Sequence, residues 1–313
     1  MGQVAFLFSG QGAQCTGMGR SLWNASRAAE EVFALADKIR PGTSNQCFSA
    51  PKEVLSLTEN TQPCVYCVDL AAAQALRGAG IRPAAVAGFS LGEIAALTFA
   101  GVFSPEDGFS LVCWRGRFMN EAAERNPGGM AAVLRLSDEK VAQLCGRCKK
   151  VYPVNYNCPG QVAVAGDRAE LPGFCGEVAA AGGRAVPLAV SGAFHSPFMS
   201  PAAEKLRAEL AAFSVSPPTV PVYSDFSAKP YGAEPDEIRR AAALQVDHPV
   251  FWRKILEAMR KSGIDTFVET GPGKVLSGLV RRTLPGVAIY HVEDAETLGR
   301  AVSALGKKEE RAC

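Results

Sequence analysis

The chain has 313 residues, 48% hydrophobic and 20% charged, the composition of a globular protein long enough to bury a core without disulfides or metals. The net charge of +2, from 33 Lys and Arg against 31 Asp and Glu, gives no bulk attraction for nucleic acid. Only three histidines are present, His195, His248 and His291, which nearly excludes a multi-histidine metal site and leaves three candidates for an imidazole base.

No apolar run approaches the ~18 residues that a membrane helix needs. The segment Met1–Ser9 lacks a basic n-region and is broken by Gly10, so it does not read as a secretory signal. The ten cysteines therefore read as free thiols in a reducing cytoplasm. Of the two Cys-x-x-Cys pairs, Cys64/Cys67 sits in a helical pattern and reads as small buried residues. Cys145/Cys148 lies too far from it to complete a zinc ribbon.

The chain opens with an apolar strand, Gln3 to Phe8, followed by the glycine-punctuated loop Gly10-Gln11-Gly12. Helical patterns cover about 28–39 and 62–79. A short apolar strand, Ala84 to Phe89, leads through Ser90 into a helix from Leu91 to about Ala100. Ser104-Pro105-Glu106-Asp107 starts a helix that runs to about Arg125, with Ser as N-cap, Pro next and acids in the first turn. The rhythm then changes. Strands at Met130–Leu136, Val151–Tyr156, Val162–Ala165 and Arg184–Val190, with helices from Ser137 to about Cys148 and at Glu170–Ala181, give the order β-α-β-β-α-β. This predicts a ferredoxin-like small subdomain, 128–193, inserted in a large α/β domain formed by 1–127 and 194–313.

After the insert, helices are expected at Pro201–Phe213, Pro235–Leu244, Pro249–Ser262 and 274–283. Strands are expected at Val220–Ser224, Asp265–Glu269 and Val287–His291. Lys307 to Arg311 reads as a solvated tail. Gly271-Pro272-Gly273-Lys274 lacks the frame of a phosphate-binding loop, and no Gly-x-Gly-x-x-Gly opens a βαβ unit.

Gly88-Phe89-Ser90-Leu91-Gly92 fits Gly-x-Ser-x-Gly and lies between a strand and a helix, where such a turn exposes a serine nucleophile. The Leu91 amide, at a helix start, then points to where an oxyanion forms. Ser90 to Glu93 also fits a helix capping box. A serine needs a base, and His195, in a loop of small residues just past a strand, is placed to reach a cleft. His248 sits at a helix start and His291 at a strand end, both structural positions. Arg115 has Leu111, Val112, Phe118 and Met119 as its helical neighbours, so it projects from the buried stripe, whereas Arg117 does not. A buried guanidinium calls for either an internal acid or an anionic substrate. Gln11 follows the first strand, where an α/β-hydrolase-like sheet would place a second oxyanion donor.

Together these motifs resemble the malonyl-CoA:acyl carrier protein transacylases, over nearly the whole chain. Phe8 to Gln14 is similar to that family's N-terminal loop, Gly88 to Glu93 to its serine motif and Ala193-Phe194-His195-Ser196 to its histidine motif. Asn155-Tyr156-Asn157 with Pro159-Gly160-Gln161 resembles a small-subdomain loop facing the site, and Thr270 to Leu276 the C-terminal motif. The resemblance implies Ser90 as nucleophile and His195 as base, with the Gln11 and Leu91 amides as the oxyanion hole. It makes Arg115 the malonyl carboxylate ligand and Gln245 the residue whose backbone carbonyl orients the histidine. Asn157 and Phe194 become substrate contacts, the histidine motif being of the form associated with malonyl over methylmalonyl. It further implies a cytoplasmic, discrete, monomeric enzyme that works on malonyl-CoA and acyl carrier protein, with no cofactor, nucleic acid or membrane. Phe89 and His248 depart from the family's usual His and Asn. The second change is expected to put another imidazole beside the base. Rival readings are a polyketide acyltransferase, a serine esterase or thioesterase, and a non-catalytic scaffold.

Overall fold

The computed structural model describes residues 2–310, with side chains to 306. It is a mixed α/β structure with one parallel and one antiparallel sheet. The strands are β1 (Gln3–Phe8), β2 (Ala85–Gly88), β3 (Gly128–Leu134), β4 (Val151–Cys158), β5 (Gln161–Asp167), β6 (Arg184–Pro187), β7 (Val222–Tyr223), β8 (Ile264–Thr270) and β9 (Ala288–Val292). The parallel sheet has the order β7-β2-β1-β8-β9. β1 lies at its centre because it is apolar on both faces. Phe6 and Phe8 pack into one helical layer, while Ala5 and Leu7 pack into the other. Each buried Phe there contributes about 1.5–3 kcal/mol.

Residues 128–187 form the antiparallel sheet, in the order β4-β5-β3-β6. The segment before helix Trp252–Lys261 ties it to the rest. Val250 N–H donates to the Val154 carbonyl at 2.7 Å, and Tyr156 N–H donates to the Val250 carbonyl at 2.9 Å. The edge strand β4 thereby extends toward the carboxyl ends of the parallel strands, the usual place for a site in an open α/β sheet.

Several boundaries differ from the sequence reading, each for a local reason. Val220–Ser224 contracts to β7, since Pro221 has no N–H to give a ladder. Arg184–Val190 ends at Pro187, which frees 188–193 as a loop. The strand expected at Val151–Tyr156 runs on through Asn157 to Cys158, so the segment likened to a loop is strand β4. Lys307 to Glu310 are the end of a helix, Ala295–Glu310, that the sequence reading did not contain; Arg311 lies outside the described residues. Its start is marked by Asp294, whose Oδ1 accepts from Thr297 N–H at 2.8 Å. The short helices Arg20–Ala25, Thr43–Ser49 and Lys52–Leu55 also went unread, being too brief to show a period. Among the described residues, no helix is long and apolar enough to cross a membrane.

The turn after β2 depends on two glycines. A Cβ on Gly88 would fall 1.9 Å from the Gly92 carbonyl carbon, and one on Gly92 would fall 2.4 Å from the Phe8 carbonyl oxygen. These are backbone contacts that no rotamer change relieves. Gly92→Ala is therefore expected to lower stability by about 1–3 kcal/mol in guanidinium unfolding; an unchanged midpoint would contradict this packing.

Candidate active site

Ser90 occupies the turn between β2 and helix Gly92–Phe99 with φ of 57°, a left-handed conformation that costs a non-glycine residue about 1–3 kcal/mol. This geometry pushes its side chain out of the sheet. The capping box is not formed: the Ser90 hydroxyl faces other partners, and the helix N-cap is Leu91 with no side-chain cap bond. Ser90 Oγ lies 2.7 Å from His195 Nε2. His195 Nδ1 lies 2.8 Å from the Gln245 carbonyl oxygen. A carbonyl only accepts, so Nδ1 carries the proton and Nε2 is the acceptor for the serine O–H. His195 also has a positive φ, of 60°, and is buried.

Arg115 is 1% exposed on helix Pro105–Arg125. Its Nη2 donates to Ser90 Oγ at 3.1 Å and to Gln245 Oε1 at 2.9 Å, and its Nη1 donates to Gln62 Oε1 at 2.7 Å. All three acceptors are neutral, and Nε has no partner among the described residues. The internal-acid alternative thus receives no direct contact. Glu93 and Asp225 act on Arg115 only through space and hold its pKa up against burial, which brings it down to about 10. Burial, followed by the Arg115 charge, lowers His195 to about 3, against smaller opposing effects of the Gln245 and His248 backbone.

These groups face a cavity of about 320 Å³ that is also lined by Gln11, Leu91, Asn155, Asn157, Gln161, Phe194, Phe89, Leu188 and Val275. Every candidate from the sequence except Gln245 is in this lining, and Gln245 touches both Arg115 and His195 from behind. The Gln11 and Leu91 amides have no hydrogen-bond acceptor among the described residues. They are free to receive an oxyanion. Phe89 packs its ring edge-on against Trp252, with centroids 5.3 Å apart. His248 lies next to the base, its backbone acting on His195, and its ring is held by other partners. Its Nδ1 is engaged by the Leu244 carbonyl and Asp247, and its ring lies edge-on to Phe226.

Two contributors escaped the sequence reading. Gln62 holds Arg115 from the first turns of helix Thr58–Gly78. Asp225, just past β7, accepts the Ser90 N–H at 2.6 Å. Position at the carboxyl end of a parallel strand is the one signal that could have marked Asp225.

The acyl transferase domain family matches residues 5–307. The chain belongs to this family. It is 38% identical to the malonyl CoA-acyl carrier protein transacylase of Bacillus subtilis, over the full length of both chains. The crystal structure of malonyl CoA-acyl carrier protein transacylase from Clostridium perfringens superposes with a TM-score of 0.95 at 37% identity, covering 99% of each chain. A malonyl-transacylase solved in complex with a type II polyketide acyl-carrier protein gives 0.93 at 33% identity, covering 96% of this chain and 99% of that one.

The lowered His195 value carries a sign. In the folded acyl transferase domain the imidazole is neutral down to about pH 3, whereas the ordinary value is 6.5. Protonation therefore favours the unfolded chain, and stability is lost as pH falls from about 6.5. Imidazole NMR is expected to show His195 as a neutral Nδ1–H tautomer at pH 5. A midpoint above 6 would contradict the geometry.

Proposed function

We propose that the chain transfers the malonyl group of malonyl-CoA to the phosphopantetheine thiol of acyl carrier protein, supplying extender units for fatty-acid or polyketide assembly. The observation that carries this reading is Arg115: a buried cation with no carboxylate contact, 3.1 Å from the candidate nucleophile. An acyl group that brings its own carboxylate supplies the missing anion. A malonyl ester is short enough to place that carboxylate beside the guanidinium.

In the first half-reaction His195 Nε2 takes the Ser90 proton as Oγ attacks the thioester carbonyl. This general-base step is worth roughly 10²–10⁴ in rate. The oxyanion is received by the Gln11 and Leu91 amides, each worth on the order of 10²–10³. The Gln245 carbonyl supports the imidazolium through Nδ1–H, the part an acid plays in a Ser-His-Asp triad. The C–S bond breaks, CoA leaves with the proton from His195, and malonyl remains on Ser90. The carrier thiol then attacks the ester by the reverse sequence. Every atom balances without a redox or metal step, so we assign no cofactor.

Asn157 and Phe194 line the cavity, and we assign them to substrate contact. We read the parallel-sheet part as α/β-hydrolase-like and residues 128–193 as a ferredoxin-like insert, supported by the order β4-β5-β3-β6. The nine described cysteines are unpaired, which supports a reducing, cytoplasmic setting, where we infer a monomer.

Intact-mass analysis tests the reading. Malonyl-CoA is expected to give a stable adduct on Ser90 that phosphopantetheinylated carrier protein discharges. Rapid release of free malonate would instead favour a hydrolase. Acetyl-CoA leaves Arg115 unpaired, so its kcat/KM is expected to be lower by up to ~10⁴-fold. Arg115→Ala should abolish that preference while acyl transfer continues. A malonyl preference that survives in the variant would refute the assignment of Arg115.

A further inference from the structure

Beneath the nucleophile lies a second buried polar cluster that the acyl-transfer steps do not use. Asp225 and Glu93 are both fully buried. Asp225 Oδ2 accepts from Ser90 N–H at 2.6 Å. Glu93, in the first turn of the helix that Ser90 precedes, presents Oε1 to Asp225 N–H at 3.2 Å and to Tyr231 O–H at 2.7 Å. The other oxygen of each carboxyl, Asp225 Oδ1 and Glu93 Oε2, has no partner among the described residues. Arg115 is the cation that acts on both, through space and without a hydrogen bond to either.

Two carboxyl groups buried together do not both ionise. Glu93 accepts two hydrogen bonds, and Asp225 accepts one, from the Ser90 amide. Burial raises both, Glu93 to about 7 and Asp225 well above the ordinary carboxyl range, and the Glu93 charge adds to the upward push on Asp225.

The Ser90 amide also needs an acceptor that neither neighbouring element can give. At φ of 57° it has left the β2 ladder and precedes the helix. Its carbonyl is held separately, accepting from Glu93 N–H at 3.1 Å and Gln245 Nε2 at 3.3 Å. Asp225 alone holds the amide side of the turn.

We propose that Asp225 is a positioning residue that holds Ser90 in the left-handed conformation that aims its hydroxyl at His195. The proposal rests on Ser90 being the acylated residue. It makes a specific demand: the side chain at 225 must offer a buried acceptor to Ser90 N–H, and it need not carry a charge. Asparagine meets that demand, and alanine does not.

The test is the acylation rate constant from rapid-quench intact mass with malonyl-CoA, normalised to the serine that finally acylates so that misfolded molecules do not count. Asp225→Ala is expected to lower it about ten-fold or more, in line with a buried donor left unpaired. KM for malonyl-CoA should stay within about three-fold, because Arg115 still meets the carboxylate. Asp225→Asn is expected to retain at least a fifth of the wild-type rate constant. An alanine variant that acylates within about two-fold of wild type would overturn the proposal, as would an asparagine variant below a fifth. Should the alanine variant not fold, the asparagine threshold decides alone. Absence of any Ser90 adduct in the wild-type protein would instead overturn the acyl-transfer reading.

Discussion

A guanidinium kept out of water without a carboxylate partner is the constraint on which the site depends. Removing a cation from solvent costs several kcal/mol after relaxation, and Arg115 is offset by three neutral oxygens and two distant acids. Gln62 holds one of its amino groups and Gln245 the other. They fix the fork without neutralising it, so the charge remains available to an incoming anion. The same charge acts on the base. Burial first, and this charge second, disfavour a proton on His195, so the resting imidazole is neutral.

The second constraint is backbone geometry. Ser90 and His195 both have φ near +60°, and they meet across 2.7 Å. Neither conformation is favourable alone, so surrounding contacts must impose it. For Ser90 these are the close approach of Gly92 to the end of β1, the Asp225 carboxyl on its amide and the Gln245 amide on its carbonyl. Gln245 enters three of the site's bonds: its carbonyl orients His195, its Oε1 holds Arg115, and its Nε2 holds the Ser90 turn. No acid is needed behind the histidine, because a carbonyl fixes the tautomer equally well.

Much of this was legible in the sequence because it is written locally. The apolar stripe around Arg115 marked it as inward-facing, and the strand-turn-helix setting of Ser90 marked an exposed serine. Small residues around His195 marked a loop that reaches into a cleft. The parts that stayed hidden are contacts between residues far apart in the chain. Gln62 meets Arg115 across 53 positions, and Asp225 meets Ser90 across 135. Neither has a local pattern to betray it. The partners of the His248 ring, Asp247, the Leu244 carbonyl and Phe226, were hidden in the same way. Short elements such as β7 were overextended because apolar character continues past the residues that can pair.

The most direct measurement of the central claim is a crystal structure of the protein trapped as its acyl-enzyme after exposure to malonyl-CoA. The account predicts an ester on Ser90 Oγ, its carbonyl oxygen between the Gln11 and Leu91 amides, and the free carboxylate paired with both amino groups of Arg115. A carboxylate turned to solvent, with Arg115 still bound to Gln62 and Gln245 alone, would contradict it.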